Sequence, residues 1–155
     1  MMRSFCVVIA LLLAAPQICL AQSAGDVAKA KAEIWAKEKV IYANRAKGDT
    51  QYYYDNTVPE YLAWVYGTPK PFRRDAMLAA SGKAKTLPAN ENIENQFSDL
   101  SLHGDTAIIY YVNHRTVLPD GSKVDQMFDN IHVWVKDKGD WKLLASMSRL
   151  ETPKP

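Results

Sequence analysis

Three turn signals divide the second half of the chain into four long runs, and no other feature limits the fold as strongly. His103-Gly104-Asp105, Pro119-Asp120-Gly121 and Lys138-Gly139-Asp140 are each of hairpin length. They separate residues 93–102, 106–117, 124–136 and 141–150. The second of these runs is rich in Ile, Tyr, Val and Thr, side chains that suit a pleated, half-buried surface. Four strands joined by three short turns predict an antiparallel meander.

The first half carries a helical period instead. Val27, Ile34 and Ile41 recur every seven residues with Ala30 on the same face, and Trp35 and Tyr42 form a second stripe, so residues 26–47 predict one long helix. Gly48 stops it, and Asp49 can cap a second helix over residues 50–56, which holds Tyr52, Tyr53 and Tyr54. Pro59 restricts the chain. Residues 61–66 predict a short strand ending at Gly67, residues 68–72 a proline-bounded loop, and residues 74–80 a third helix stopped by Gly82. Helices followed by a long antiparallel sheet make an α+β domain. With one helix face covering one face of a curved sheet, the expected shape is a cone whose open end can take a small ligand.

Residues 1–21 are expected to stand apart from that domain. Arg3 is followed by an apolar run over residues 5–15, a break at Pro16, and small residues at Cys19 and Ala21. This is the three-part pattern of a secretory signal peptide, with cleavage expected after Ala21. The competing reading, an uncleaved anchor, meets an apolar run shorter than the ~20 residues that span a bilayer. Both cysteines, Cys6 and Cys19, lie in this segment. A mature domain over residues 22–155 would carry no thiol, which suits export to an oxidising compartment, periplasmic or secreted, and excludes a cysteine nucleophile or thiolate metal site. No stable membrane anchor is expected after cleavage. The 19 basic and 17 acidic residues leave a net charge of +2. That is too even for a nucleic-acid partner, which needs a concentrated basic surface. One local excess, Lys70, Arg73, Arg74, Lys83 and Lys85 against Asp75, reads as a solvated face or as an anion site.

Two stretches of the sheet half carry a resemblance. His132-Val133-Trp134-Val135-Lys136 and Trp141-Lys142-Leu143-Leu144-Ala145-Ser146, with Gly104 to Ile109 before them, resemble the SnoaL-like branch of the nuclear transport factor 2-like superfamily. Lys47-Gly48-Asp49 matches the turn between that family's first two helices, and the likeness runs over about residues 26–150. It implies a cone-like fold with a pocket between helices and sheet, and homodimers through the outer sheet face. The family includes isomerases, polyketide cyclases, dehydratases and epoxide hydrolases, so fold alone assigns no reaction. The ketosteroid isomerase set can be laid on the chain. Its general-base aspartate falls at about Trp64, its oxyanion tyrosine at about Ile41, next to Tyr42, and its protonated aspartic acid at Ile131. Neither an indole nor an alkyl group can do that work.

The strand over residues 124–136 splits by parity. By the family analogy its odd positions line the cone, with Ile131, Val133 and Val135 deep and Met127 and Asp129 near the mouth. Asp129 is then the catalytic candidate, since an apolar mouth would favour its protonated form. The competing reading is an exposed strand-end aspartate. His132 and Trp134 would face outward as dimer-interface residues. With the opposite parity, His132 becomes the acid–base candidate. Trp35, Tyr42, Tyr53, Tyr54, Tyr61 and Trp64 are core residues or the lining of a pocket for a partly apolar molecule, with Trp35, Tyr42, Tyr53, Tyr61, Trp64 and Met127 as the pocket set. His103, His114 and His132 lack metal-site spacing, so neither metal nor cofactor is expected. The functions open to the chain are a ligand-binding module, an enzyme using Asp129 or a histidine as base, and a non-catalytic dimerisation domain.

Overall fold

The computed structural model describes residues 22–81 and 90–151. The expected export segment, the carboxy-terminal tail and Lys83 and Lys85 of the basic excess lie outside them. The long helix, α1 (Ala24–Arg45), begins where Ser23 and Asp26 form a reciprocal capping box. Its inward stripe is Ala30, Ile34, Glu38 and Ile41, all buried. The short α2 (Gln51–Asp55) starts after the left-handed Gly48, and its first backbone N–H donates to Asp49 Oδ1 at 2.8 Å.

One sheet of six strands runs in the order β2-β1-β6-β5-β4-β3. Its strands are β1 (Thr57–Trp64), β2 (Phe72–Arg73), β3 (Asn92–His103), β4 (Thr106–Val117), β5 (Lys123–Asp137) and β6 (Asp140–Leu150); α3 (Arg74–Ser81) follows β2. The four carboxy-terminal strands form the expected antiparallel meander. The β5–β6 turn has both Lys138 and Gly139 at positive φ, the two-residue geometry that matches strand twist. The sheet departs from a purely antiparallel one at its other side. β1 starts four residues before the predicted strand and lies parallel to β6, and β2 adds a two-residue antiparallel edge. Register breaks within β3–β4, β4–β5 and β5–β6 add local bend and twist.

Helix α1 covers the inner sheet face. Ile34 packs with Ala107, Ile109, Trp134, Trp141 and Leu143 at the narrow end, all buried. Burying such side chains is the main stabilising term, at ~1.5–3 kcal/mol for a large aliphatic one. The inward residues of β5 are Phe128, Asn130, His132 and Trp134, the even set. The outer face holds Ile131 and, on β1 and β6, the exposed Leu62, Trp64 and Met147. The parity expected from the family analogy is therefore reversed. The physical reason is the acid Glu38 on α1, which needs N–H donors opposite it, and only the even side chains of β5 supply them.

Candidate functional site

Glu38 is completely buried in the middle of the α1 stripe. Its Oε1 accepts from the Trp134 indole Nε1–H at 2.9 Å and lies 2.7 Å from His132 Nδ1. His132 Nε2 is 3.1 Å from the Tyr111 hydroxyl, which is 2.9 Å from that of Tyr42. Tyr42 donates to Asn113 Oδ1 at 3.0 Å, and Asn113 Nδ2 donates to Asn95. Each hydroxyl has one proton to give. With Asn113 taking that of Tyr42, Tyr42 accepts from Tyr111, and Tyr111 accepts from His132 Nε2–H. Glu38, His132, Tyr111, Tyr42 and Asn113 thus form a line of five polar side chains that joins helix and sheet. A second hydroxyl cluster is adjacent. Tyr53 bonds to Tyr61, and its hydroxyl is 3.0 Å from Ser146 Oγ.

Both clusters border an open cavity of about 360 Å³ at the wide end of the cone. The last turns of α1 give it Ile41, Tyr42 and Arg45, and α2 gives Tyr53 and Tyr54. Ala63 of β1, Phe72 of β2 and Met77 of α3 form an apolar side; Asn113 and Arg115 of β4 and Phe128, Asn130 and His132 of β5 form the sheet side. At the rim Arg45 grips Glu91 through Nε at 2.6 Å and Nη2 at 3.1 Å, and Arg115 Nε lies 3.0 Å from the same carboxylate. Chemically this is an apolar, aromatic chamber with hydroxyl and imidazole groups on its floor and guanidinium groups at its mouth. Among the described residues no three His, Cys, Asp or Glu side chains converge as metal ligands would.

No protein-family profile matches the sequence, and no curated protein does. Solved structures do match. A candidate dehydratase of the NTF2-like family from Streptomyces avermitilis superposes with a TM-score of 0.70 at 14% identity, over 81% of this chain and 98% of that one. The CaMKII hub of S. rosetta gives a TM-score of 0.63 at 19% identity, over 77% and 95%. An NTF2-like protein of unknown function from Silicibacter pomeroyi gives 0.60 at 17%, over 80% and 98%. The chain has the nuclear transport factor 2-like fold. A fold shared by a candidate dehydratase and a kinase hub assigns no activity by itself.

Within the nuclear transport factor 2-like cone the predicted site residues separate. Tyr42, Tyr53 and Tyr61 stand on the cavity wall. Trp35 does not; its ring packs edge-on against Phe97 and Tyr111. Trp64 points away from the cone, half-exposed, with its Nε1–H directed to the Thr68 carbonyl at 3.3 Å. Met127 and Asp129 follow the odd parity of β5 and lie off the cavity. Asp129 pairs with Arg149 at 2.7 Å on the outer face, which removes it as a base for anything in the cone. His132 and Trp134 are turned inward and cannot form a dimer contact. Of the isomerase positions, Ile41 borders the cavity while Trp64 and Ile131 face out. Sequence reasoning missed Glu38, Arg45, Glu91 and Arg115. For Glu38 a signal existed: an acid placed four residues after Ile34 and three before Ile41, inside the apolar stripe.

Burial raises the Tyr42 hydroxyl to about 12, with Glu38 adding to the effect, and burial also raises Tyr53, Tyr61 and Tyr111. All four are hydrogen donors and acceptors, not phenolates, at neutral pH. The linkage has a definite sign. The folded state holds the phenol protons more tightly, so stability is full below about pH 10 and is lost as pH rises towards 12. Urea midpoints should fall steeply above about pH 10, before Tyr42, Tyr53, Tyr61 and Tyr111 of the folded protein ionise. Phenolate absorbance completed near pH 10 in the folded state would contradict this burial.

Proposed function

We propose that the domain binds a small, partly apolar molecule in the open end of its cone and acts as an exported binding module. The observation that supports this reading is the cavity of about 360 Å³, walled by Tyr, Phe and Met side chains with a few fixed polar groups. Its size is at the lower end of the range usual for small-molecule sites. A thermal-shift screen of small aromatic and aliphatic compounds tests it. Saturable stabilisation by at least one class, abolished by Ala63→Trp on the cavity wall, is the expected result. No stabilisation by any class would count against the reading.

A second reading is favoured by one feature. Glu38 holds His132 with Nε2 towards Tyr111 at the cavity, the arrangement in which a carboxylate orients an imidazole that gives or takes a proton. An isomerase, lyase or hydrolase would use His132 as its acid–base group. Turnover of a carbonyl substrate that survives His132→Gln would remove this reading.

Export rests on Arg3, the apolar run over residues 5–15 and the small residues at Cys19 and Ala21. Mass spectrometry of protein secreted by an expressing bacterium should find Gln22 at the amino terminus; an intact Met1 would refute it.

A homodimer would use the outer sheet face. Leu62, Trp64, Ile131 and Met147 sit there, exposed, on three neighbouring strands, with Trp64 opposite Met147 and Met147 opposite Ile131. Contiguous exposed apolar side chains are the usual sign of such an interface. The CaMKII hub neighbour accords with assembly. Light scattering should show a dimer that becomes a monomer in Trp64→Lys/Met147→Glu, with the thermal transition of the monomer retained. A double variant that stays dimeric would place the contact elsewhere.

A further inference from the structure

We infer that the molecule held in the cavity is a small organic anion, a monocarboxylate whose head group sits on Arg45 and Arg115 and whose apolar body lies against the aromatic wall. This deepens the ligand-binding reading and rests on it.

Three separate elements bring the charges together. Arg45 comes from the last turn of α1, Arg115 from β4, and Glu91 from the residue just before β3. The Glu91 side chain is only 4% exposed, while those of Arg45 and Arg115 are 41% and 20% exposed. The carboxylate thus sits behind, with both oxygens engaged by Arg45, and the guanidinium groups stand in front on the cavity wall. Two cations share one anion. No acidic side chain borders the cavity among the described residues, so the mouth carries an excess of one positive charge.

Arg115 is the less satisfied of the two. Its Nε–H lies at ion-pair distance from Glu91 yet is buried with no hydrogen-bond acceptor in line among the described residues. Its guanidinium rests over the Phe128 ring at 4.9 Å, which fixes its plane beside the apolar wall. A planar fork of N–H donors held in place matches a carboxylate in two-point geometry. A neutral ligand filling the chamber would strip water from these cations and return nothing for it. A carboxylate returns charge-assisted hydrogen bonds and cancels the excess charge. One excess charge matches a monoanion, where a phosphate monoester would overshoot.

The test is isothermal titration of the purified protein with phenylacetate, 4-phenylbutyrate and octanoate, each beside its own primary amide. The best acid should bind at least about tenfold tighter than its amide, the worth of one charge-assisted hydrogen bond. Arg115→Met should remove most of that ratio while leaving the affinity of the amide unchanged. Should Arg115→Met fail to fold, the acid-to-amide ratio of the unaltered protein decides by itself. Amides that bind as well as acids would overturn the anion inference and leave the binding cavity standing. Binding by none of the six compounds would overturn both.

Discussion

Replacing Glu38 by Ala should cost the domain roughly 3–5 kcal/mol, more than any surface change in the molecule, because it strands two donors rather than removing one contact. The Glu38 side chain sends one oxygen to the indole of Trp134 and the imidazole of His132, and all three groups lie out of water. Without it the Trp134 N–H and the His132 Nδ1 face a cavity lined by Ala30, Ile34 and Ile41, neighbours on the same helix face that offer no acceptor. For a domain of this size the loss is a fall in melting temperature of roughly 10–25 °C. Glu38→Gln should cost less, since its carbonyl can accept where the carboxylate did, while its amide inherits the position of Oε2, which has no hydrogen-bond partner among the described residues. The double variant Glu38→Ala/His132→Ala should be more stable than the two single losses added together, because the second change removes a donor the first had orphaned. A Glu38→Ala protein within 1 kcal/mol of the original in urea titration, a margin typical of surface substitutions, would mean that the acid is not holding the sheet to the helix.

That one residue also shows what the amino-acid sequence could and could not reveal. The meander was legible because Gly104, Gly121 and Lys138-Gly139 punctuate β-rich runs, and turn chemistry acts over a few residues. The amphipathic helix was legible for the same reason, since Ala30, Ile34 and Ile41 define its face locally. The parallel pairing of β1 with β6 was not, because nothing within residues 57–64 records which distant strand will lie beside it. The inward face of β5 was hidden for a different reason. Both of its faces carry apolar groups, Ile131 and Val133 on one and Phe128 and Trp134 on the other, so hydrophobicity alone cannot choose between them. The deciding term is polar. A buried carboxylate on α1 has to meet N–H donors, and His132 with Trp134 is the adjacent inward pair on β5 that supplies them. Read together, Glu38 in its stripe and His132 and Trp134 two residues apart would have fixed the parity. The candidate site suffered most from this, because Asp129 and Met127 moved outside the cone as His132 moved in. Arg45, Glu91 and Arg115 meet across about 70 residues of chain and had no local signature.

Trp134→Ala separates the two parities in a single experiment. Were the ring at a subunit contact, its truncation would weaken dimerisation and leave the folding of each protomer intact, as expected for Trp64 and Met147. Buried as it is, with no exposed surface, between Ala107 of β4 and Leu143 of β6, its loss should act on folding. Truncating a buried tryptophan costs about 3–5 kcal/mol through lost transfer energy and the void left behind. Here the same change takes a donor from Glu38, so the effect should fall at the upper end, about 5 kcal/mol. Trp134→Phe should recover most of the packing and none of the hydrogen bond, leaving a deficit of ~1–3 kcal/mol that reports the donor lost to Glu38, whose Oε1 keeps only His132. Urea unfolding followed by far-ultraviolet circular dichroism, with light scattering on the same samples, reads both quantities. The expected pattern is a large fall in the unfolding midpoint with the association state unchanged wherever the variant remains folded. The reverse pattern, a weakened dimer with normal protomer stability, would return Trp134 to the outer face and take His132 out of the cavity with it.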